Sequence, residues 1–347
     1  MKTMTDTDNF IGKVAEYWQP VDDGNVRCDL CPNRCVIKEG HAGLCRSRKN
    51  VGGKLYSMVY GRPCAINIDP IEKKPLLHFH PGQPCLSIGC TGCNLSCLNC
   101  QNWEISQARP DDVHTYPLSP EELVETAKAN NCSIVAFTYT EPLTYLEYTR
   151  DCAAACHHEG LKTVLVTAGY VNPKPLSELL PYIDAANVDL KSFSDEVYQK
   201  VSRAHLQTVL ETLKAMKKSN VWVEVTNLMI PGINDNPDMT RQMCQWLATN
   251  GFCDTPLHFS RFFPQYRMED VPPTPLETLT EAREIARNEG LHFVYIGNTR
   301  IEGAEDTVCP ECHKLLVRRN GYEIMENMMK SDDTKCPYCG NPIAGLW

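Results

Sequence analysis

Short β-rich runs at 85–89, 134–139, 163–167, 186–191, 221–229, 257–263 and 293–296 alternate with helix-patterned stretches. No other feature limits the fold as strongly. Apolar, β-branched runs without polar alternation predict strands covered on both faces, as in a parallel sheet with helical crossovers. Helix ends are also legible. Ser119-Pro120-Glu121-Glu122 predicts an N-cap, a proline in the first turn and a glutamate at N3, and 274–288 predicts a helix that stops before Gly290. Right-handed βαβ crossovers of this kind build either an open doubly wound sheet or a partial barrel. Both place functional groups at the C-terminal ends of the strands.

At 347 residues the chain exceeds the ~100–200 residues of one ordinary domain, so an α/β domain with small appendages is expected. Composition divides it into a cysteine-bearing segment at 1–80, the βα region at 81–303 and a second cysteine-bearing segment at 304–347, with no internal repeat. A net charge of −9 and a pI near 5.6 argue against a protein that coats a phosphate backbone, so nucleic acid is an unexpected partner. The opening MKTMTDTDNF has no basic, apolar leader and no run of 18 apolar residues occurs, so a cytoplasmic protein without a membrane partner is expected. Cysteines in such a reducing compartment are not disulfides in the main, and eleven of the 19 fall into three spaced groups, which points to metal.

The densest group is Gly89-Cys90-Thr91-Gly92-Cys93-Asn94-Leu95-Ser96-Cys97-Leu98-Asn99-Cys100-Gln101-Asn102-Trp103, directly after the first run of the βα region. Cys93, Cys97 and Cys100 follow a Cys-x3-Cys-x2-Cys spacing. Three thiolates on one tight loop can ligate three irons of a cubane [4Fe–4S] cluster, and no fourth cysteine follows nearby, which leaves one iron for an exogenous ligand. Cys85 and Cys90 lie outside the spacing and read as small buried hydrophobes.

This motif, followed by the βα series, resembles the radical S-adenosylmethionine (SAM) superfamily, whose fold is a partial (β/α)6 barrel. Within it the chain is similar to the activating enzymes of glycyl radical enzymes, such as that of pyruvate formate-lyase, and to the radical SAM member of the AmmeMemoRadiSam system. The closer likeness covers nearly the full length. It rests on Cys28-Asp29-Leu30-Cys31-Pro32-Asn33-Arg34-Cys35, on Asp69-Pro70-Ile71-Glu72-Lys73-Lys74-Pro75-Leu76 with His78 and His80, on Cys100-Gln101-Asn102-Trp103-Glu104-Ile105-Ser106, and on the cysteines of the last segment. One departure stands out. The superfamily usually carries an aromatic residue just before the third cysteine, beside the adenine of SAM, and here that residue is Asn99, with Trp103 the nearby aromatic.

The resemblance implies an oxygen-sensitive enzyme. Reductive cleavage of SAM at the cluster gives methionine and a 5′-deoxyadenosyl radical, which abstracts hydrogen from a substrate; a reductant such as flavodoxin or ferredoxin supplies the electron. Phe137-Thr138-Tyr139-Thr140-Glu141-Pro142 resembles the superfamily's Gly-Gly-Glu-Pro segment, so Glu141, with Thr140, is expected at the SAM amino group. Thr167, Asp189 and Lys191 are expected to face the cofactor, with Lys191 able to pair with the SAM carboxylate. Asn227 and Ile230 are expected beside the adenosine. His258, Ser260 and Arg261 would then line the far side.

The outer groups read differently. Cys28, Cys31, Cys35 and Cys45 permit either a closed Zn²⁺ site or a second iron–sulfur cluster. Cys309, Cys312, Cys336 and Cys339 form two knuckles of a zinc-ribbon or rubredoxin-like module, with Zn²⁺ as a staple or Fe as an electron relay. The activating-enzyme likeness implies a protein or peptide substrate. A small molecule or nucleotide is the alternative, and a non-catalytic electron-transfer protein is the third reading.

Overall fold

The computed structural model describes residues 12–329 and 334–347. Eight strands form the central sheet: β1 (Ala65–Pro70), β2 (Pro84–Gly89), β3 (Ile134–Phe137), β4 (Lys162–Thr167), β5 (Ala185–Asp189), β6 (Trp222–Met229), β7 (Leu257–Arg261) and β8 (Val294–Gly297). They lie side by side in strict chain order. β1 pairs antiparallel with β2, and every later neighbour is parallel. This order decides between the two architectures left open by periodicity. A doubly wound sheet needs a reversal of strand order, whereas same-handed crossovers in one direction put every helix on one face and curl the sheet into a partial barrel. The chain has a partial (β/α)6 barrel, as the resemblance implies, flanked by small cysteine-rich modules.

The outer face carries α1 (Pro120–Ala129), α2 (Leu146–His158), α3 (Pro173–Leu179), α4 (Leu206–Lys218), α5 (Pro237–Thr249) and α6 (Leu276–Asn288). Leu86, Val135, Phe137, Leu165, Val188, Val225 and Phe259 pack outward against buried helix residues such as Leu123, Leu213 and Leu247. The alternate residues Cys85, Ile134, Ala136, Val164 and Ala185 face inward and meet Ile71, Leu76 and Phe79. The Asp69–Leu76 motif is therefore a plug that fills the barrel floor. Glu224 holds it there by accepting from the backbone N–H groups of Leu77 and His78 at 3.0 and 2.8 Å.

The α1 start is as read from the sequence: Ser119 Oγ accepts from Glu122 N at 3.2 Å, and Glu122 returns the bond to Ser119 N at 2.7 Å. At α6 the expectation fails by two residues, because the helix begins at Leu276. Thr274 is spent elsewhere, accepting from Phe262 N at 2.9 Å and donating to Met229 O at 2.6 Å.

Before the barrel, two small antiparallel sheets, Lys13–Val14 with Arg48–Val51 and Lys54–Ser57, and Trp18–Pro20 with Val26–Cys28 and Val36–Ile37, present Cys28, Cys31, Cys35 and Cys45. After it, Thr307–Val308, Leu315–Asn320 and Glu323–Asn327 form a three-stranded sheet. Its Leu316 and Val317, together with Trp347, pack on Leu77, Phe293 and Tyr295 of the barrel. Among the described residues no helix is long and apolar enough to cross a membrane.

Candidate functional site

The cluster loop leaves β2 at Cys90 and runs to the short helix Trp103–Ser106. It needs glycine at its bend: Gly92 has φ +96°, and a Cβ there would stand 2.2 Å from the Cys45 carbonyl oxygen. Three distant segments strap the loop. Ser96 N and Leu98 N donate to Ser202 O and Val201 O at 3.0 and 2.9 Å, Arg267 N donates to Leu98 O at 3.0 Å, and Asn94 Nδ2 donates to Tyr170 O at 2.7 Å. Cys93, Cys97 and Cys100 are thus fixed by the turns that follow β4, β5 and β7. Leu95 N points at Cys93 Sγ (3.4 Å), and the Ser106 hydroxyl lies 3.2 Å from Cys100 Sγ. These are the polar contacts that metal-bound sulfurs accept.

Burial pushes the Cys93 thiol well up, with Glu141 and Cys97 adding to the shift. It also raises Cys97, where the Lys191 ammonium works in the opposite sense. A metal bound here would have to displace these protons. The donor set suits a cubane: three thiolates on one loop, N–H and O–H groups at the sulfurs and a cation alongside.

Glu141 caps the turn Pro142–Tyr145 and is 1% exposed. Its Oε1 accepts from Leu143 N (3.1 Å) and Thr167 Oγ1 (2.6 Å), and its Oε2 from Ala168 N (2.8 Å). Three of the roughly four acceptor positions of the carboxylate are therefore filled from within. Burial pushes its pKa up to about 7 against the lowering effect of these donors and of Lys191. Thr140 Oγ1 donates to Cys90 O at 2.6 Å, tying the β3 turn to the cluster loop. At the end of β5, Lys191 Nζ meets Asp189 Oδ2 at 2.8 Å, with 27% and 38% of the two side chains exposed. Burial alone would discharge Lys191, but Asp189 and Cys97 hold its pKa above the ordinary lysine value.

The adjacent ends of β2 to β5 thus bring together Cys93, Cys97, Cys100, Thr140, Glu141, Thr167, Asp189 and Lys191. Asn227 and Ile230 turn inward to the protein: Asn227 Nδ2 donates to Leu190 O at 2.7 Å, and Ile230, 4% exposed, packs with Val201, Phe262 and Met268. His258 lies deep in the barrel, 2.7 Å from Glu224, and Arg261 Nε donates to Thr274 O at 2.8 Å, so both are satisfied within the fold. Cys85 and Cys90 are fully buried, as small hydrophobes would be.

The roles of three residues at the mouth were not legible in the sequence. Asn234 donates to Lys191 O (2.7 Å) and Leu228 O (2.8 Å) and accepts from Ile230 N (2.6 Å), joining the β5 and β6 turns. The Pro231-Gly232-Ile233-Asn234 turn was its only hint. Tyr139, at φ +67°, donates to Asp69 Oδ2 at 2.5 Å. Tyr266 stacks on Trp103 with centroids 5.2 Å apart and planes 10° apart.

The last segment brings Cys309, Cys312, Cys336 and Cys339 together with all ligand atoms within 4.8 Å of one another. Cys309 to Cys339 and Cys312 to Cys336 are each 3.7 Å apart. A tetrahedron with metal–sulfur bonds of about 2.3 Å has edges of about 3.8 Å, so this quartet fits a single ion.

A sequence profile described as the Radical SAM superfamily matches residues 87–247. A protein of Methanocaldococcus jannaschii described as "Uncharacterized protein MJ0808" is 45% identical over 329 residues, covering 95% of this chain and 98% of that one. Pyruvate formate-lyase 1-activating enzyme of Escherichia coli is 26% identical over 213 residues, covering 57% of this chain and 87% of the enzyme. Among solved structures, a domain of pyruvate-formate lyase-activating enzyme from Bacteroides vulgatus superposes with a TM-score of 0.42 at 18% identity, covering 47% of this chain and 98% of the domain.

Proposed function

The chain belongs to the radical SAM superfamily, and from that premise we propose that it cleaves SAM reductively and directs the resulting radical at a protein or peptide. The observation that carries this reading is the convergence of Cys93, Cys97 and Cys100 with Glu141 and the Asp189–Lys191 pair at adjacent strand ends. When bound to the three thiolates, a [4Fe–4S] cluster supplies an open iron for SAM and the electron that breaks its sulfonium bond.

The chain's own share is binding and positioning. The remaining acceptor position of Glu141 takes the SAM ammonium, and Lys191, held by Asp189, takes its carboxylate. The stacked Trp103 and Tyr266 offer an aromatic wall where Asn99 cannot, beside the adenine. A flavodoxin or ferredoxin serves as reductant. A protein target is favoured because the related E. coli protein is an activating enzyme of pyruvate formate-lyase. At the last segment, Zn²⁺ is the ion of the closed quartet.

The test is anaerobic. Reconstituted protein given dithionite and SAM should form 5′-deoxyadenosine, and Cys97→Ala should abolish it. A wild-type protein with a full cluster that binds but never cleaves SAM, with or without a peptide substrate, would instead be an electron carrier.

A further inference from the structure

We propose that Cys28, Cys31, Cys35 and Cys45 hold a second [4Fe–4S] cluster rather than a zinc ion. The four thiols line one small, partly open cavity, with Arg48 and Asn94 in its wall. Their spacing separates the two metals. Zinc draws four thiolates onto one centre, as the 3.7 Å separations in the last segment illustrate. Among the described residues, that last quartet is the one group whose ligand atoms close to within 4.8 Å, and the Cys28, Cys31, Cys35 and Cys45 thiols stand around a space instead. A cubane binds each thiolate at a different corner iron, so its ligands surround a volume and do not converge on a point.

The cavity wall asks for an anion with several acceptor atoms. Arg48 is 1% exposed; its Nη2 pairs with Glu147 and donates to Glu16 O at 2.9 Å, while Nε and Nη1 have no hydrogen-bond partner. A buried guanidinium with two idle donors is costly unless something in the cavity accepts from it. Four thiolates make either metal site net negative; the sulfides of a cubane add N–H acceptors that a zinc ion lacks.

The site also touches the cluster loop. Asn33 Nδ2 donates to Asn94 O at 2.9 Å, and Gly92 is packed against the Cys45 carbonyl with no room for a Cβ. A cluster there would neighbour Cys93 with only Asn94 between. This assignment does not depend on SAM chemistry at the other site.

The experiment uses the full chain reconstituted anaerobically with iron and sulfide. The triple variant Cys93→Ala, Cys97→Ala, Cys100→Ala should keep about four irons and four sulfides and, after dithionite, give the electron paramagnetic resonance signal of a reduced cubane that SAM leaves unchanged. A triple variant that folds with no cubane signal and with about two zinc ions per chain overturns the proposal. Should the variant not fold, ⁵⁷Fe Mössbauer spectra of the wild type decide. About eight irons and eight sulfides per chain, all with cubane parameters, are expected, and about four of each together with two zinc ions would overturn the proposal.

Discussion

At the residue scale, Glu141 is the most exposed to test. An ammonium partner requires its ionised form, and burial places its pKa at about 7. SAM affinity should therefore rise as pH increases from about 6 to about 8, and isothermal titration on the reconstituted protein checks this. Glu141→Gln should flatten that profile and weaken SAM binding about ten- to a hundredfold while iron content stays the same. The folded pKa lies above the unfolded one, so in the absence of SAM this group lowers stability as pH rises from the ordinary glutamate value to about 7, and no further above it. Legibility at this scale follows locality. Cys93, Cys97 and Cys100 are readable from spacing because one loop supplies all three ligands. The expected positions of Glu141, Asp189 and Lys191 rested on resemblance. Asn234, Tyr139 and Tyr266 were invisible because what each does depends on a segment far away in sequence, as with Asn234 and Lys191 or Tyr266 and Trp103.

At the element scale, the parallel strands were legible because their β-rich runs recur between helix-patterned stretches, even where Glu224 and His258 interrupt them. β1 was not: Ala65-Ile66-Asn67-Ile68-Asp69-Pro70 alternates polar and apolar residues and ends in proline, as suits an edge strand with one half-open face. The quartet of the last segment ties its small sheet into the barrel through Leu316, Val317 and Trp347 against Leu77, Phe293 and Tyr295. Cys312→Ser should therefore lower the Tm of the whole chain and not of the tail alone, by about 1–2 °C for each kcal/mol lost. A calorimetric scan that shows an unchanged main transition and a separate small one would contradict this coupling.

At the scale of the whole molecule, one buried chain of hydrogen bonds crosses from tail to barrel. Arg319 Nη1 donates to Thr307 Oγ1 (2.8 Å), Thr307 to the Tyr295 hydroxyl (2.9 Å), Tyr295 to His78 Nε2 (2.5 Å), and His78 Nδ1 to Ala344 O (2.6 Å). The chain requires neutral His78, and burial pushes its pKa down to about 4, against the pull of Glu224. The folded pKa lies below the unfolded one, so this stability is present above about pH 6.5 and is lost on acidification towards pH 4, on the order of 3 kcal/mol in all. Tm measured from neutral to mildly acidic pH should fall accordingly, and His78→Gln should blunt the dependence. No sequence pattern pointed to this chain, whose members lie on five segments. The place of β1 has a further consequence for anyone who trims the protein. A chain cut to 81–303, the βα region by composition, would lose β1 and leave one edge of β2, with the N–H and C=O groups of its alternate residues, unpaired beside the cluster loop. Such an edge recruits strands from other copies, so the trimmed chain should aggregate, as light scattering would reveal, while a chain that starts at residue 12 stays dispersed.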